Sequence, residues 1–216
     1  NWAMYPLIGH VQRYDWGSTD AIPAILGGNP DGTPWAEYWL GAHPKAPSTL
    51  SDGTPLDQWL AYHPDELGGP SREAFGDRLP FLLKILSADH ALSIQAHPSR
   101  EQAERGFAAE NEAGVAVDAP NRIFRDDWPK PEMIVALTDF AALCGFRDPS
   151  SSLVLLSGLG KVGGLDEVLA PLSEDNGLAK VVATVLSGDA SVVSVVEGVV
   201  SASRRYLEEG TDEAVR

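Results

Sequence analysis

The sequence has little that could crosslink it or carry it into a membrane. Its one cysteine, Cys144, allows no disulfide within the chain, so a reducing compartment is expected. Cys144 stands in an apolar run, where a small buried hydrophobe is favoured over a nucleophile. No signal peptide is recognisable, and the most apolar late stretch, 192–200, is interrupted by Glu197 and too short for a membrane span. We therefore expect a cytoplasmic protein that does not enter a membrane.

Basic side chains are also scarce, with 16 Lys and Arg against 31 Asp and Glu and a formal net charge of -15. Nucleic acids and anionic membranes attract basic surfaces, so neither is expected as a partner. An anionic small substrate is still allowed. Exposed charges more than about 8–10 Å away are largely screened at physiological salt, so the charges nearest a site dominate.

Composition and the spacing of apolar residues differ between two parts of the chain, which predicts two domains. All six Trp and all five His lie in residues 1–149. Residues 150–216 instead carry apolar side chains at helical spacing, which predicts a small helical domain with a helix beginning after Asp189. The positions are Leu178, Val181, Val182, Val185 and Leu186, then Val192, Val193, Val196, Val199 and Val200.

The first part reads as short strands separated by turns. The 16 Pro and 21 Gly of the whole chain imply many turns, which favours β-rich architecture. A capping-box pattern at Ser99 and Gln102 predicts one helix among the strands. The pattern indicates an antiparallel sandwich or barrel. The predicted strands are residues 79–86, 92–97, 133–137 and 141–146.

Strict alternation in residues 92–97 places three polar side chains on one strand face. They are Ser93, Gln95 and His97. A polar row of this kind suits the lining of a cavity, although a solvated strand face is the commoner explanation of such a motif taken alone. Lys84 lies within an apolar strand, where it must reach solvent, form an ion pair or enter a wet cavity.

Two further segments carry groups suited to a site. Lys130 and Glu132 have the same strand parity and could face one cavity, or form a surface ion pair. In residues 35–43, alternation places Glu37, Trp39, Gly41 and His43 on one face, which an ordinary amphipathic strand would also do. Imidazole with oxygen ligands suits zinc, and also manganese, iron or cobalt.

In their order and spacing these motifs resemble the type I mannose-6-phosphate isomerases, zinc enzymes of the cupin superfamily. The resemblance implies a mainly β fold with added α, in which a cupin-type jelly-roll barrel over residues 1–149 precedes a small helical domain over 150–216. The family's second cupin domain would be absent. The matching stretches are residues 11–18, 36–48, 79–87, 92–98, 119–122, 130–133 and 141–147.

The resemblance also implies residue roles. Gln95, His97 and Glu132 would bind one zinc ion per chain. Trp16 and Ser93 would line the sugar-phosphate pocket. Lys130 would act as acid/base or oxyanion stabiliser, and Lys84 in ring opening or at the phosphate. The implied reaction interconverts mannose 6-phosphate and fructose 6-phosphate through an enediol, as a step toward GDP-mannose, in a monomer.

Some family features have no counterpart here. The family's fourth ligand is a histidine in a later strand, yet no histidine follows His97, and the family's catalytic arginine also comes later. A truncated form is therefore expected. Many members have a histidine before the Lys-Pro-Glu motif, where this chain has Pro129. A non-catalytic cupin module that binds metal and sugar is the alternative, and a metal-free β-sandwich interaction protein is a third reading.

Overall fold

The computed structural model describes residues 4–209. Contacts within the chain divide it into two compact units, with the division between Glu132 and Met133. Each unit is described by itself. The predicted domain boundary after residue 149 stays a prediction.

Five short strands of the first unit form two antiparallel sheets. One sheet pairs β1 with β4, and the other has the order β2-β3-β5. In the second sheet, β3 is central and pairs Trp39 with Lys84 and Glu37 with Leu86 on β5. The strands are β1 (Leu7–Ile8), β2 (His10–Gln12), β3 (Glu37–Leu40), β4 (Thr49–Leu50) and β5 (Leu83–Leu86).

Helices cover the remaining regular parts of the first unit. They are α1 (Ala21–Ile25), α2 (Leu56–Tyr62), a 3-10 turn (Pro64–Leu67), α3 (Gly69–Phe75) and α4 (Arg100–Glu112). The predicted capping box of α4 is confirmed. The Gln102 backbone N–H donates to Ser99 Oγ at 3.2 Å, and the Ser99 backbone N–H donates to Gln102 Oε1 at 2.9 Å. Two backbone donors that the helix leaves unpaired are thereby satisfied.

The second unit is helical, and the predicted helices after residue 150 are confirmed. They are α5 (Pro149–Ser157), α6 (Leu165–Leu169), a 3-10 turn (Ala170–Ser173), α7 (Gly177–Val185) and α8 (Ala190–Glu209). The core of the unit consists of Leu165, Leu169, Leu172, Val181 and Val195. As predicted, α8 begins directly after Asp189, whose carbonyl accepts the Val193 N–H at 2.9 Å.

None of the helices within residues 4–209 is by itself long and apolar enough to cross a membrane. Taken together, α7 and α8 have the length and composition of one span, but a bend of 98° separates them.

Three predicted strands are wrong. Residues 92–97, 133–137 and 141–146 have no strand structure, and only the last four residues of the predicted strand 79–86 form one. A strand exists only where a neighbouring backbone pairs with its N–H and C=O groups, and none of the paired strands in the described part of the chain borders these segments. Cys144, which was expected to be buried, is exposed.

The fold class is therefore observed in part. Sheets with added helices are present, but helices rather than strands predominate within residues 4–209. Both sheets are open there, so no closed barrel is formed by the strands that the structure describes.

Candidate functional site

The three-stranded sheet positions a buried carboxylate, an indole and a lysine. Glu37 and Trp39 project from one face of β3 and are only 7% and 6% exposed. The Trp39 indole N–H donates to Glu37 Oε2 at 2.7 Å. Lys84, opposite Trp39 on β5, places Nζ 3.6 Å from Glu37 Oε1 and 5.2 Å from the centre of the Trp39 ring. We call these three residues the sheet wall.

Lys84 thus takes one of the three courses expected from its sequence: it pairs. Its side chain is 31% exposed, against 9% for the carboxylate of Glu37. A carboxylate so deeply buried is costly unless neighbouring donors and a positive charge compensate it. Trp39 and Lys84 supply both, so the charge of Lys84 is tied to this point of the sheet.

An aromatic corner with a second lysine adjoins the sheet wall. Lys45 Nζ donates to the Tyr14 hydroxyl at 3.2 Å and lies 5.6 Å from the centre of the Trp39 ring. Tyr14 stacks on Trp16 with ring centres 5.7 Å apart. Trp16, predicted as a substrate contact, is therefore next to a cationic and aromatic surface, of the kind that suits a polyhydroxylated anion.

The pKa of His43 depends on burial and on the charged groups nearby. Burial lowers the pKa of His43 below its usual value, and Asp126 opposes that shift. Three lysines lower the pKa further because an imidazolium beside them would be repelled. They are Lys130, Lys45 and Lys84, which are all the lysines of residues 1–149. The three lysines are therefore near enough to His43 to act on its charge, and two of them are paired with the carboxylates of Glu37 and Asp126.

The two residues predicted to share a cavity, Lys130 and Glu132, have different partners. Lys130 Nζ lies 3.1 Å from Asp126 Oδ2, and Glu132 Oε1 lies 3.6 Å from His97 Nε2. Since both were predicted as metal ligands, we call His97 and Glu132 the ligand pair. Both Lys130 and Glu132 stand in a segment without regular secondary structure.

The ligand pair fits a divalent metal ion. Two ligand atoms about 2.1 Å from one tetrahedral zinc would be about 3.4 Å apart, close to the 3.6 Å separation of Nε2 and Oε1. No group of three His, Cys, Asp or Glu that could hold a metal occurs within residues 4–209. The third predicted ligand, Gln95, is an amide and so falls outside that set.

Gln95 and Ser93, predicted as metal ligand and substrate contact, lie in the irregular segment before α4. Both side chains are exposed. The structure thus brings together His97 with Glu132, and Lys84 with the aromatic corner near Trp16. It leaves Gln95 and Ser93 on a segment whose strand pairing is missing.

Sequence reasoning missed the residues that hold the chain ahead of Glu132. The Arg122 side chain is fully buried and lies 3.1 Å from Glu110 Oε2. Its guanidinium donates to the carbonyls of Val115 and Phe124, both at 2.6 Å. Glu110 accepts the backbone N–H of Phe124 at 2.7 Å. Only the occurrence of Arg122 in a matching stretch, 119–122, hinted at this role.

Glu37 was also missed as a partner of Lys84. Its position on the same strand face as Trp39 was noted, but its pairing across to β5 depends on strand register. Register between strands separated by more than forty residues is not visible in a local pattern.

Comparisons with known proteins agree with the motifs. A family model described as "Phosphomannose isomerase type I, catalytic domain" matches residues 4–149. Mannose-6-phosphate isomerase of Salmonella typhimurium is 43% identical over 159 residues, which cover 71% of this chain and 40% of that protein. Mannose-6-phosphate isomerase of Homo sapiens is 37% identical over 157 residues, covering 67% of this chain and 35% of that protein.

Solved structures are similar along almost the whole chain. Apo mannose 6-phosphate isomerase from Salmonella typhimurium matches with a TM-score of 0.80 at 32% identity, covering 100% of this chain and 55% of that one. The same enzyme bound to fructose 6-phosphate and zinc matches with a TM-score of 0.78 at 35% identity, covering 97% and 54%. The chain spans about two fifths of the length of the curated relatives it matches.

Proposed function

We propose an isomerase function for this chain, which belongs to the type I phosphomannose isomerase family. The reaction is the zinc-dependent interconversion of mannose 6-phosphate and fructose 6-phosphate through an enediol. The residues of this chain that would serve the reaction are His97, Glu132, Lys84 and Lys130, and the chain spans about two fifths of the length of the curated relatives. One observation carries the proposal: His97 Nε2 and Glu132 Oε1, two predicted ligands far apart in sequence, lie 3.6 Å apart.

Gln95, His97 and Glu132 are the proposed zinc ligands, with one ion per chain. Support for zinc comes from the chemistry of the set, because imidazole, carboxylate and amide oxygen suit it, and from the zinc-bound relative. A bound zinc would act as a Lewis acid toward the oxygens of the substrate. With one carboxylate and two neutral ligands, the site would keep a charge of about +1.

The protein's own groups then bind the substrate and move protons. Lys84 and Lys130 add positive charge where an anionic sugar phosphate must sit, despite the net charge of -15. Such fixed charges favour the oxyanion that develops when a proton leaves carbon beside a carbonyl. We assign proton transfer or oxyanion stabilisation to Lys130, and ring opening or phosphate contact to Lys84. Trp16 and Ser93 would line the pocket.

We further propose that residues 1–149 form the cupin jelly roll of the family and residues 150–216 its helical domain. Ile94, Met133 and Leu143 are 90%, 89% and 96% exposed. Apolar side chains so exposed within short runs are expected to be covered in a finished fold.

The proposal is tested by metal analysis and a coupled assay for fructose 6-phosphate formation. Both are applied to this chain and to the product of its natural gene read to the stop codon. Isomerase activity of the gene product that is lost on chelation and restored by zinc supports the proposal. Zinc binding without activity in the gene product would instead favour a non-catalytic module that binds metal and sugar. If the gene product has neither bound zinc nor isomerase activity, both the isomerase and the metal-binding module are overturned.

A further inference from the structure

We propose that Glu37 is a positioning residue that fixes the Lys84 ammonium group in the proposed isomerase site. This inference rests on the proposed function for the role of Lys84, but the contact itself is independent of it. No role was expected of Glu37 beyond a place on an amphipathic strand face. The argument starts from what the burial of its carboxylate requires.

A carboxylate that is 7% exposed must be compensated by nearby donors or positive charge. One oxygen, Oε2, accepts the Trp39 indole N–H at 2.7 Å, which holds the carboxylate in a single orientation. The other, Oε1, then faces Lys84 Nζ at 3.6 Å. Indole and lysine therefore divide the two oxygens of Glu37 between them.

The contact with Lys84 is an ion pair and not a hydrogen bond. N–H···O hydrogen bonds have heavy-atom distances up to about 3.2 Å, and 3.6 Å exceeds that. An ammonium group has three N–H donors. Attraction to Glu37 can therefore hold Nζ in place while its donors stay available to a ligand. If Lys84 instead donated hydrogen bonds to Glu37, those donors would be occupied and the lysine would mainly stabilise the sheet.

Rigidity of the arrangement comes from the sheet. Trp39 and Lys84 are register partners on β3 and β5, and Nζ lies 5.2 Å from the centre of the Trp39 ring. Face-on contact with an aromatic ring attracts a cation. Glu37 and Trp39 thus restrain the flexible side chain of Lys84 from two directions, which matters because small displacements of catalytic groups cost large factors in rate.

The first test is a double-mutant cycle in the full-length natural protein, using Glu37→Gln and Lys84→Met. Glutamine keeps an oxygen for the indole but removes the charge. We expect Glu37→Gln to lower kcat about ten- to hundredfold with KM changed less than about threefold. In the Lys84→Met background the same substitution should change kcat less than about twofold. Glu37→Asp, which keeps the charge, should recover part of the loss.

Glu110→Gln is the matched control, because Glu110 is also a carboxylate tied to backbone N–H groups and an arginine, but away from Lys84. Its effect on kcat should be the same in both backgrounds. Equal losses from Glu37→Gln with and without Lys84 would overturn the proposal and leave Glu37 a structural residue. Thermal unfolding of each variant identifies any that fails to fold, and the uncharged Glu37→Met then replaces Glu37→Gln in the cycle.

The second test needs no activity and therefore separates this inference from the proposed function. Acylation of Lys84 by an N-hydroxysuccinimide ester is followed by peptide mass spectrometry. Freed from Glu37, the amine should react about threefold or more faster in Glu37→Gln, and unchanged in Glu110→Gln. If Glu37→Gln is acylated faster but the wild-type protein has no isomerase activity, the proposed function is overturned while the restraint of Lys84 by Glu37 stands. An unchanged acylation rate would overturn the positioning role.

Discussion

The sheet wall and the ligand pair differ in what holds them. Glu37, Trp39 and Lys84 stand on paired strands of one sheet, so backbone hydrogen bonds on both sides of β3 fix their spacing. His97 and Glu132 stand on irregular chain, and their 3.6 Å contact joins side chains that are 32% and 57% exposed. The spacing of the sheet wall therefore depends on strand pairing, whereas that of the ligand pair depends on side chains of irregular segments.

The largest effect on isomerase activity should come from removing a residue of the ligand pair. Glu132→Ala removes the only carboxylate of the proposed metal site and should lower isomerase activity of the full-length protein by at least about a hundredfold, through lost metal. Glu112→Ala, an exposed carboxylate at the end of α4, is the control and should leave activity unchanged. The coupled assay measures both. Near-normal activity of Glu132→Ala would show that the ligand pair is not the metal site.

The next effect concerns Arg122, whose hydrogen bonds hold the chain that precedes Glu132. Arg122→Met removes the buried guanidinium that donates to the carbonyls of Val115 and Phe124, so the free energy of unfolding should fall by about 2–4 kcal/mol. Arg125→Met removes an exposed arginine three residues later and should cost less than about 0.5 kcal/mol. Urea denaturation followed by tryptophan fluorescence measures both. Equal losses would mean that Arg122 does not organise this segment.

A smaller effect is expected in the sheet wall. Trp39→Phe keeps an aromatic ring but removes the N–H that Glu37 accepts, which should cost about 1.5–3 kcal/mol for a hydrogen bond to a charged group. Trp35 makes the comparable bond to Asp31 at 3.1 Å on the surface, and Trp35→Phe should cost less. The two losses are compared by chemical denaturation. A larger loss from Trp35→Phe would contradict the account of Glu37.

Sequence patterns were sufficient for features that depend on neighbours in the chain. The capping box at Ser99 and the helix beginning after Asp189 are local and were predicted correctly. Residues 92–97 and 141–146 have good strand patterns but pair with no strand among residues 4–209, and a strand pattern cannot show whether a partner exists. The contacts of Glu37 with Lys84 and of Arg122 with Glu110 depend on register and folding back of the chain, so no local pattern reveals them.

The smallest expected effect is electrostatic. Because burial and three lysines lower the pKa of His43, the unfolded chain binds a proton there at a higher pH than the folded one does. Stability from this group is thus fully present above pH about 6.5 and falls as the pH drops through the lowered pKa. In Lys45→Met the pKa of His43 should rise toward its usual value. NMR titration of the His43 ring measures it, and an unchanged or lower pKa would contradict convergence of the lysines.

The proposed binding of one metal ion by His97 and Glu132 can be seen by anomalous diffraction at the zinc edge, from crystals of the full-length protein. We expect one zinc peak per chain, about 2.0–2.2 Å from His97 Nε2 and from a Glu132 carboxylate oxygen. A zinc peak bound by other residues in an active preparation, with this pair empty, would contradict it.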